Sequence, residues 1–187
     1  MRPTANCEAV SDSTAYVKQD TTYETSVTEA RKSRSSRILD NLSLLHAEHV
    51  VKELFQLALE EKADVMISSG TLNSKCYSGQ VYNLAEKLLQ QGGKITAVVD
   101  DPTHLDIEGN RFAMLIANQS DEHLFALNTD RIDDEISHFC VVKGHAFRFE
   151  TDHSLAKAKL SFNQADIAGD LSEEFEFYRA NSTPIGI

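Results

Sequence analysis

Ile136-Ser-His-Phe-Cys-Val-Val-Lys-Gly-His-Ala-Phe-Arg-Phe-Glu150 decides how this chain is read. β-branched and aromatic residues flank Lys143-Gly144, and glycine supplies the positive φ that a tight reversal needs. We therefore expect two strands, 136–142 and 145–150, joined as a hairpin by a compact turn. On alternate positions, residues 138, 140 and 142 share one face of the sheet. The register of His145 and Arg148 against them stays open.

Working outward, a closing helix is expected over 164–180, with Ile167, Leu171, Phe175 and Tyr178 on one face. Asn163 is its expected N-cap, with Asp166 in the first turn. Upstream, Val50, Val51, Leu54, Leu57 and Ala58 recur at spacings of three and four, a helix with one buried stripe. A strand follows at 64–68. A helix capped by Ser78 then carries Val81, Leu84, Ala85, Leu88 and Leu89, and Gly92-Gly93 ends it. A second strand at 94–99 stops at Asp100-Asp101-Pro102. Strand, helix, strand is a βαβ unit with a right-handed crossover. A weaker helix over 107–118, with Phe112, Leu115 and Ile116 inward, and a strand at 123–127 complete the order. The fold class is α/β: a mixed β-sheet flanked by helices.

The chain divides by charge and composition. Of its 187 residues, 1–37 are about one-third Ser and Thr, and carry six basic and five acidic groups. They have few apolar side chains to offset the entropy of ordering. We expect a disordered tail over 1–37, ending in the basic cluster Arg31-Lys32-Ser33-Arg34-Ser35-Ser36-Arg37, and one domain over 38–187. That domain holds the other twelve basic and 24 acidic groups. Such a balance repels phosphate backbones, so nucleic acid is disfavoured as a partner. No apolar run spans a bilayer and 1–37 lack a signal-peptide core, so a cytoplasmic protein without membrane contact is expected. Cys7, Cys76 and Cys140 are odd in number and widely spaced, which argues for reduced thiols rather than a disulfide or zinc framework.

The hairpin with its Val-Val-Lys-Gly turn, the βαβ unit before it and the helix after it resemble a half of the phospholipase D-like superfamily over about residues 46–180. Members carry H-x-K-x-x-x-x-D on this strand and turn, followed by a small residue and Asn after a further strand. With Val142-Lys143-Gly144 on the family's turn, Ile136 stands at the His position, His138 at the Lys and Lys143 at the Asp. With His138 as the nucleophile instead, Cys140 takes the Lys position and His145 the Asp. Neither register restores the triplet. The family's phosphohistidine chemistry requires a nucleophilic imidazole, a cation on the phosphoryl oxygens and an orienting carboxylate. Its enzymes also build the site from two motifs, and this chain has one. The resemblance therefore implies a degenerate, catalytically inactive domain acting as an interaction or regulatory module, with a protein partner or a second copy bound. No cofactor and no metal are expected.

The competing reading is a phosphodiesterase or other hydrolase with a rearranged site. His138 or His145 would be its nucleophile or base, Lys143 or Arg148 its phosphoryl clamp, and Asn163 an added ligand. Without catalysis, His138, Lys143, His145, Arg148 and Asn163 form a candidate anion site, to which His153 is a further histidine within reach. Asp100 and Asp101 follow a parallel strand's C-terminal end, where α/β sheets place ligands, and paired carboxylates there can hold Mg²⁺; a routine turn opening explains them better. His46 and His49 lack a third metal ligand, and Ser68-Ser69-Gly70-Thr71 matches no phosphate-loop pattern. The acidic run Glu173-Glu174-Phe175-Glu176 reads as a solvated helix face.

Overall fold

The computed structural model describes residues 13–77, 79–119, 123–133, 135–152 and 157–185, with side chains from residue 22 onward. The expected hairpin is present as β5 (Phe139–Val142) and β6 (Ala146–Asp152), with Cys140 opposite Arg148 and Val142 opposite Ala146. The turn between them holds three residues, and Gly144 adopts a φ of 82° that a side chain would strain. β5 starts later than expected: Ile136, Ser137 and His138 precede it as irregular chain. The parallel unit consists of β2 (Val65–Ser69), β3 (Ile95–Val99) and β4 (Leu124–Leu127). Three strands were not foreseen: β1 (Leu39–Asn41), β7 (Lys157–Ser161) and β8 (Ser182–Pro184). Together they form one sheet in the order β1-β7-β6-β5-β2-β3-β4-β8. β5 joins the parallel unit by pairing antiparallel with β2.

Four helices lie on one side of this sheet: α1 (Ser13–Lys32), α2 (Leu44–Glu61), α3 (Gly79–Gln90) and α4 (Arg111–Ala117). The other side is covered by α5 (Ala165–Ala180). α2 begins where the Ser43 hydroxyl accepts the His46 N–H at 3.2 Å, and ends where Lys62 turns into the left-handed region. Its stripe of Val50, Val51, Leu54, Leu57 and Ala58 is buried against the sheet. Each such Leu contributes about 1.5–3 kcal/mol by leaving water, and Leu54→Ala would cost about 2–5 kcal/mol through the void it leaves. α3 buries Val81, Ala85 and Leu88, as its spacing demands; the Ser78 cap falls outside the described residues. α4 is shorter than expected because Asn110 caps it, its side chain accepting the N–H groups of Phe112 and Ala113. The N-cap of α5 is Gln164, without a side-chain bond, and Asn163 lies exposed just before it. Phe175 and Tyr178 of α5 pack on Phe139, Val141 and Phe147.

The boundary expected at residue 37 moves towards the N-terminus. Ser13–Lys32 is helical, and Val27 is fully buried where α1 packs on α2. Ion pairs join this apolar contact. Arg31, nearly enclosed, donates to Glu53 at 2.6 Å and Glu60 at 2.5 Å, while Arg34 reaches Glu60 at 3.0 Å and Glu61 at 2.6 Å. The basic cluster read as a linker is therefore the complement of the acidic end of α2. His46 and His49 serve the same interface. The His46 ring stacks on Tyr23 at 3.8 Å, and His49 sits 3.1 Å from both the Thr28 hydroxyl and the Glu24 carbonyl.

Candidate functional site

The hairpin register builds one polar row across the sheet. Glu150 donates its backbone N–H to the His138 carbonyl at 2.9 Å, so the two residues stand opposite one another. Ser69 faces His138 on the other side, since Ser68 pairs with Phe139. Val99 follows Ser69, and Asp100 lies just past the end of β3. Alternation then puts His138, Cys140, Arg148 and Glu150 on the face covered by α2.

On that face the charged groups interlock. His138 Nε2 lies 3.1 Å from Asp100 Oδ1, and its Nδ1 lies 3.7 Å from Glu150 Oε2. Arg148 donates from Nη1 to Glu150 Oε1 at 2.7 Å and from Nε to Asn41 Oδ1 at 3.3 Å. Burial works against a charged imidazole, but the Asp100 and Glu150 carboxylates outweigh it and raise the His138 pKa to about 9. Asp100 is pulled below the usual carboxylate range: its burial opposes ionisation, and the bond to His138 more than offsets that. The segment before β5 is held from both sides. Ser68 Oγ donates to the Ser137 carbonyl at 2.7 Å, and the Ser137 N–H donates to the Tyr178 hydroxyl at 3.0 Å. His138 thus hangs from a clamped backbone.

A cleft of about 250 Å³ opens beside this cluster, between the β2–α3 loop, the start of α2 and the β5–β6 face. Ser69, Gly70, Thr71 and Asn73 line its loop side, with Cys76 and Tyr77. Leu72 anchors the loop, buried and with a φ of 54°, a conformation that costs a non-glycine residue about 1 kcal/mol or more. The thiols are poor nucleophiles. Burial pushes Cys140 up to about 12 and raises Cys76 as well.

Of the residues singled out from sequence, His138 and Arg148 meet here. Lys143 and His145 do not. They occupy the turn at the far end of β5 and β6, five or more residues along the strand from His138, or roughly 16 Å. Lys143 is exposed, and its backbone N–H donates to the Asp64 carbonyl. Asn163 belongs to that far end too, since its neighbour Gln164 donates its N–H to the His145 carbonyl at 2.9 Å. His153 falls outside the described residues. Of the rearranged site, His138 and Arg148 are brought together, while Lys143, His145 and Asn163 lie apart from them. The Asp100–Asp101 pair also separates: Asp100 turns to His138, while Asp101 accepts from the Thr103 hydroxyl at 2.8 Å and lies 2.8 Å from His104 Nδ1. Among the described residues no cluster of three or more His, Cys, Asp or Glu is placed to hold a metal ion, and no helix is long and apolar enough to cross a membrane.

Glu150, Asn41 and Tyr178 are the site residues that sequence reasoning did not assign, and Asp100, singled out with Asp101 as a candidate Mg²⁺ ligand, serves His138 instead. Glu150 had a signal, its place in a hairpin whose turn length sets its partner. Asn41 had none, being more than a hundred residues from Arg148.

No family model matches the chain, and no curated protein does. Solved structures do match in shape. TrmBL2, described as an archaeal chromatin protein with a novel mode of DNA binding, aligns with a TM-score of 0.58 at 12% identity over 93% of this chain and 67% of its own. Nuc from Salmonella typhimurium, a phospholipase D family member, aligns at 0.53 and 12% identity over 81% of this chain and 100% of its own. NucT from Helicobacter pylori aligns at 0.52 and 7% identity over 80% and 100%. Element order, sheet topology and these alignments agree: the chain has the phospholipase D-like fold.

Proposed function

We propose that this chain is a non-hydrolytic phospholipase D-like domain, working in the cytoplasm as an interaction or regulatory module with a protein partner or a second copy of itself. One observation carries the reading. Each ring nitrogen of His138 faces a carboxylate, Asp100 on one side and Glu150 on the other. An imidazole that stays protonated to about pH 9 has no lone pair with which to attack phosphorus. The other conceivable nucleophile, Cys140, is buried and holds its proton to about 12.

The cation of a phosphoryl clamp is also committed elsewhere, since Arg148 is bound to Glu150. The hydrolase reading draws on His138 or His145, Lys143 or Arg148, and Asn163; the distance of Lys143, His145 and Asn163 from His138 leaves it only the paired His138 and Arg148. DNA binding, the property described for TrmBL2, is opposed here by a net acidic chain, with 29 acidic groups to 18 basic. The test is turnover of bis(p-nitrophenyl) phosphate, single-stranded DNA and phosphatidylcholine by the purified protein beside its His138→Ala variant. Rates that match the variant are expected, and turnover that disappears with His138 would overturn the reading.

A further inference from the structure

The surface of α2 beneath α1 is a seat whose resident fits it imperfectly. α1 packs chiefly on α2, and the two run parallel: Tyr23 meets His46, Thr28 meets His49, and Arg31 meets Glu53 and Glu60. Tyr23, Val27 and Arg31 recur at four-residue spacing, so one stripe of α1 makes these contacts. Val27 is fully buried, with Tyr23 and Ala30 partly buried beside it. The Tyr23 hydroxyl, however, is enclosed with no hydrogen-bond partner among the described residues. Such a group bears the cost of its lost hydration.

The seat is also wider than its occupant. A cleft of about 240 Å³ opens between Glu24 of α1, Leu45, Glu48 and Lys52 of α2, and Gln80 of α3. A second, of about 380 Å³, continues past Lys52 and Gln80 to Arg31, Gln56, Asn83 and Leu84. α1 thus leaves the α3 side of the seat unfilled. Charge says what the seat accepts. Glu53, Glu60 and Glu61 stand along the end of α2, and Arg31 and Arg34 answer them. Any helix that takes the place of α1 must bring cations to these carboxylates, above all to the enclosed Glu53, which otherwise keeps Lys52 at 3.3 Å.

We propose that a partner protein's basic helix displaces α1 from this seat: a helix with phenylalanine at the position of Tyr23, a β-branched residue at that of Val27 and arginines at those of Arg31 and Arg34. This is recognition of a helix by a groove, read through anchors one turn apart. Phenylalanine keeps the stack on His46 and drops the unpartnered hydroxyl. A second copy's α1 would carry the same hydroxyl, so exchange between copies gains nothing. The inference gives the interaction module a partner chemistry and rests on that reading for its purpose, but makes no use of His138.

Fluorescence anisotropy tests it with a labelled peptide of residues 13–37 carrying Tyr23→Phe, added to the full chain. In wild type the peptide competes with a tethered α1, whose effective concentration is on the order of millimolar. In the Arg31→Ala chain the resident is loosened, and the peptide is expected to bind roughly tenfold more tightly than to wild type, or better. Arg34→Ala, at the more exposed pair, should shift binding the same way and serves if Arg31→Ala does not fold. The Tyr23 peptide is expected to bind severalfold more weakly than its phenylalanine variant, and a peptide carrying Arg31→Ala and Arg34→Ala not at all. No binding to either loosened chain, equal affinity of the two aromatic peptides, or binding that survives loss of both arginines would overturn the inference. A dimer built by exchange of α1, seen as a doubled mass that the peptide abolishes, would overturn it too. None of these results concerns turnover, so failure here is distinct from failure of the non-hydrolytic reading.

Discussion

Converting His138 into a neutral residue should cost this protein stability in a pH window set by its two carboxylate neighbours. The unfolded imidazole titrates near 6.5 and the folded one near 9. A pKa raised by folding means the stabilisation is fully present below pH 6.5 and is lost as pH climbs through 9. That difference corresponds to up to about 3 kcal/mol, and for a chain of this size to roughly 6–12 °C in Tm. At the acid end, Asp100 is ionised until well below the usual carboxylate range, so the pair stays intact down to about pH 4. The assay is thermal unfolding of wild type and His138→Gln at intervals from pH 5 to 10. Other titratable groups are common to both proteins and cancel in the difference. The Tm gap should be wide between pH 5 and 6.5, narrow steadily above pH 7 and close near pH 10. Histidine NMR should show one ring titrating about 2.5 pH units late. A gap that does not change with pH, or a His138 ring that titrates near 6.5, would refute the locked imidazolium and remove the main support for an inert site.

Further outcomes follow from the same structure. Arg31→Ala takes its nearest cation from the enclosed Glu53 and leaves it Lys52 at 3.3 Å, and should cost about 3 kcal/mol and expose α1 to limited proteolysis. Tyr178→Phe removes the hydroxyl that receives the Ser137 N–H; a loss of about 1 kcal/mol in urea unfolding is expected, with faster amide exchange at Ser137. Native protein treated with a thiol reagent at pH 8 should leave Cys140 unmodified, because it is buried and its pKa stands near 12; rapid labelling of Cys140, read by mass spectrometry, would mean that the face beneath α2 opens readily.

The parts of the fold that were legible in sequence are those whose information is local. α2 and α3 show their buried stripes at helical spacing, and β2 and β3 are short apolar runs closed by Ser-Gly and Asp-Asp-Pro. What escaped is what depends on distant partners. β7 reads Lys157-Ala-Lys-Leu-Ser161, an unremarkable stretch until β6 and β1 flank it. β1 and β8 are three residues each and exist only as the edges of a sheet already formed. Among the described side chains of α1 only Val27 is completely buried, too few to announce a period. Its stability comes from Arg31 and Arg34 meeting acids that lie more than twenty residues away, a pairing invisible to any window along the chain.

The site turned on a single residue of register. A two-residue turn at Lys143-Gly144 would pair Val142 with His145, and His138 would then face Phe149 with Arg148 on the opposite side of the sheet. The observed turn takes in His145 as well, pairs Val142 with Ala146, and shifts every partner by one. Because side chains alternate, that one step carries Arg148 and Glu150 to the face of His138 and Cys140. It converts two scattered cations into a closed set of paired charges. The same sequence with the shorter turn would leave His138 without Glu150 and carry Arg148 to the far face of the sheet, so the cluster would not form. Whether these four charged side chains meet at all thus lies in the conformation of Lys143, Gly144 and His145, roughly 10–16 Å along the strands from Arg148 and His138.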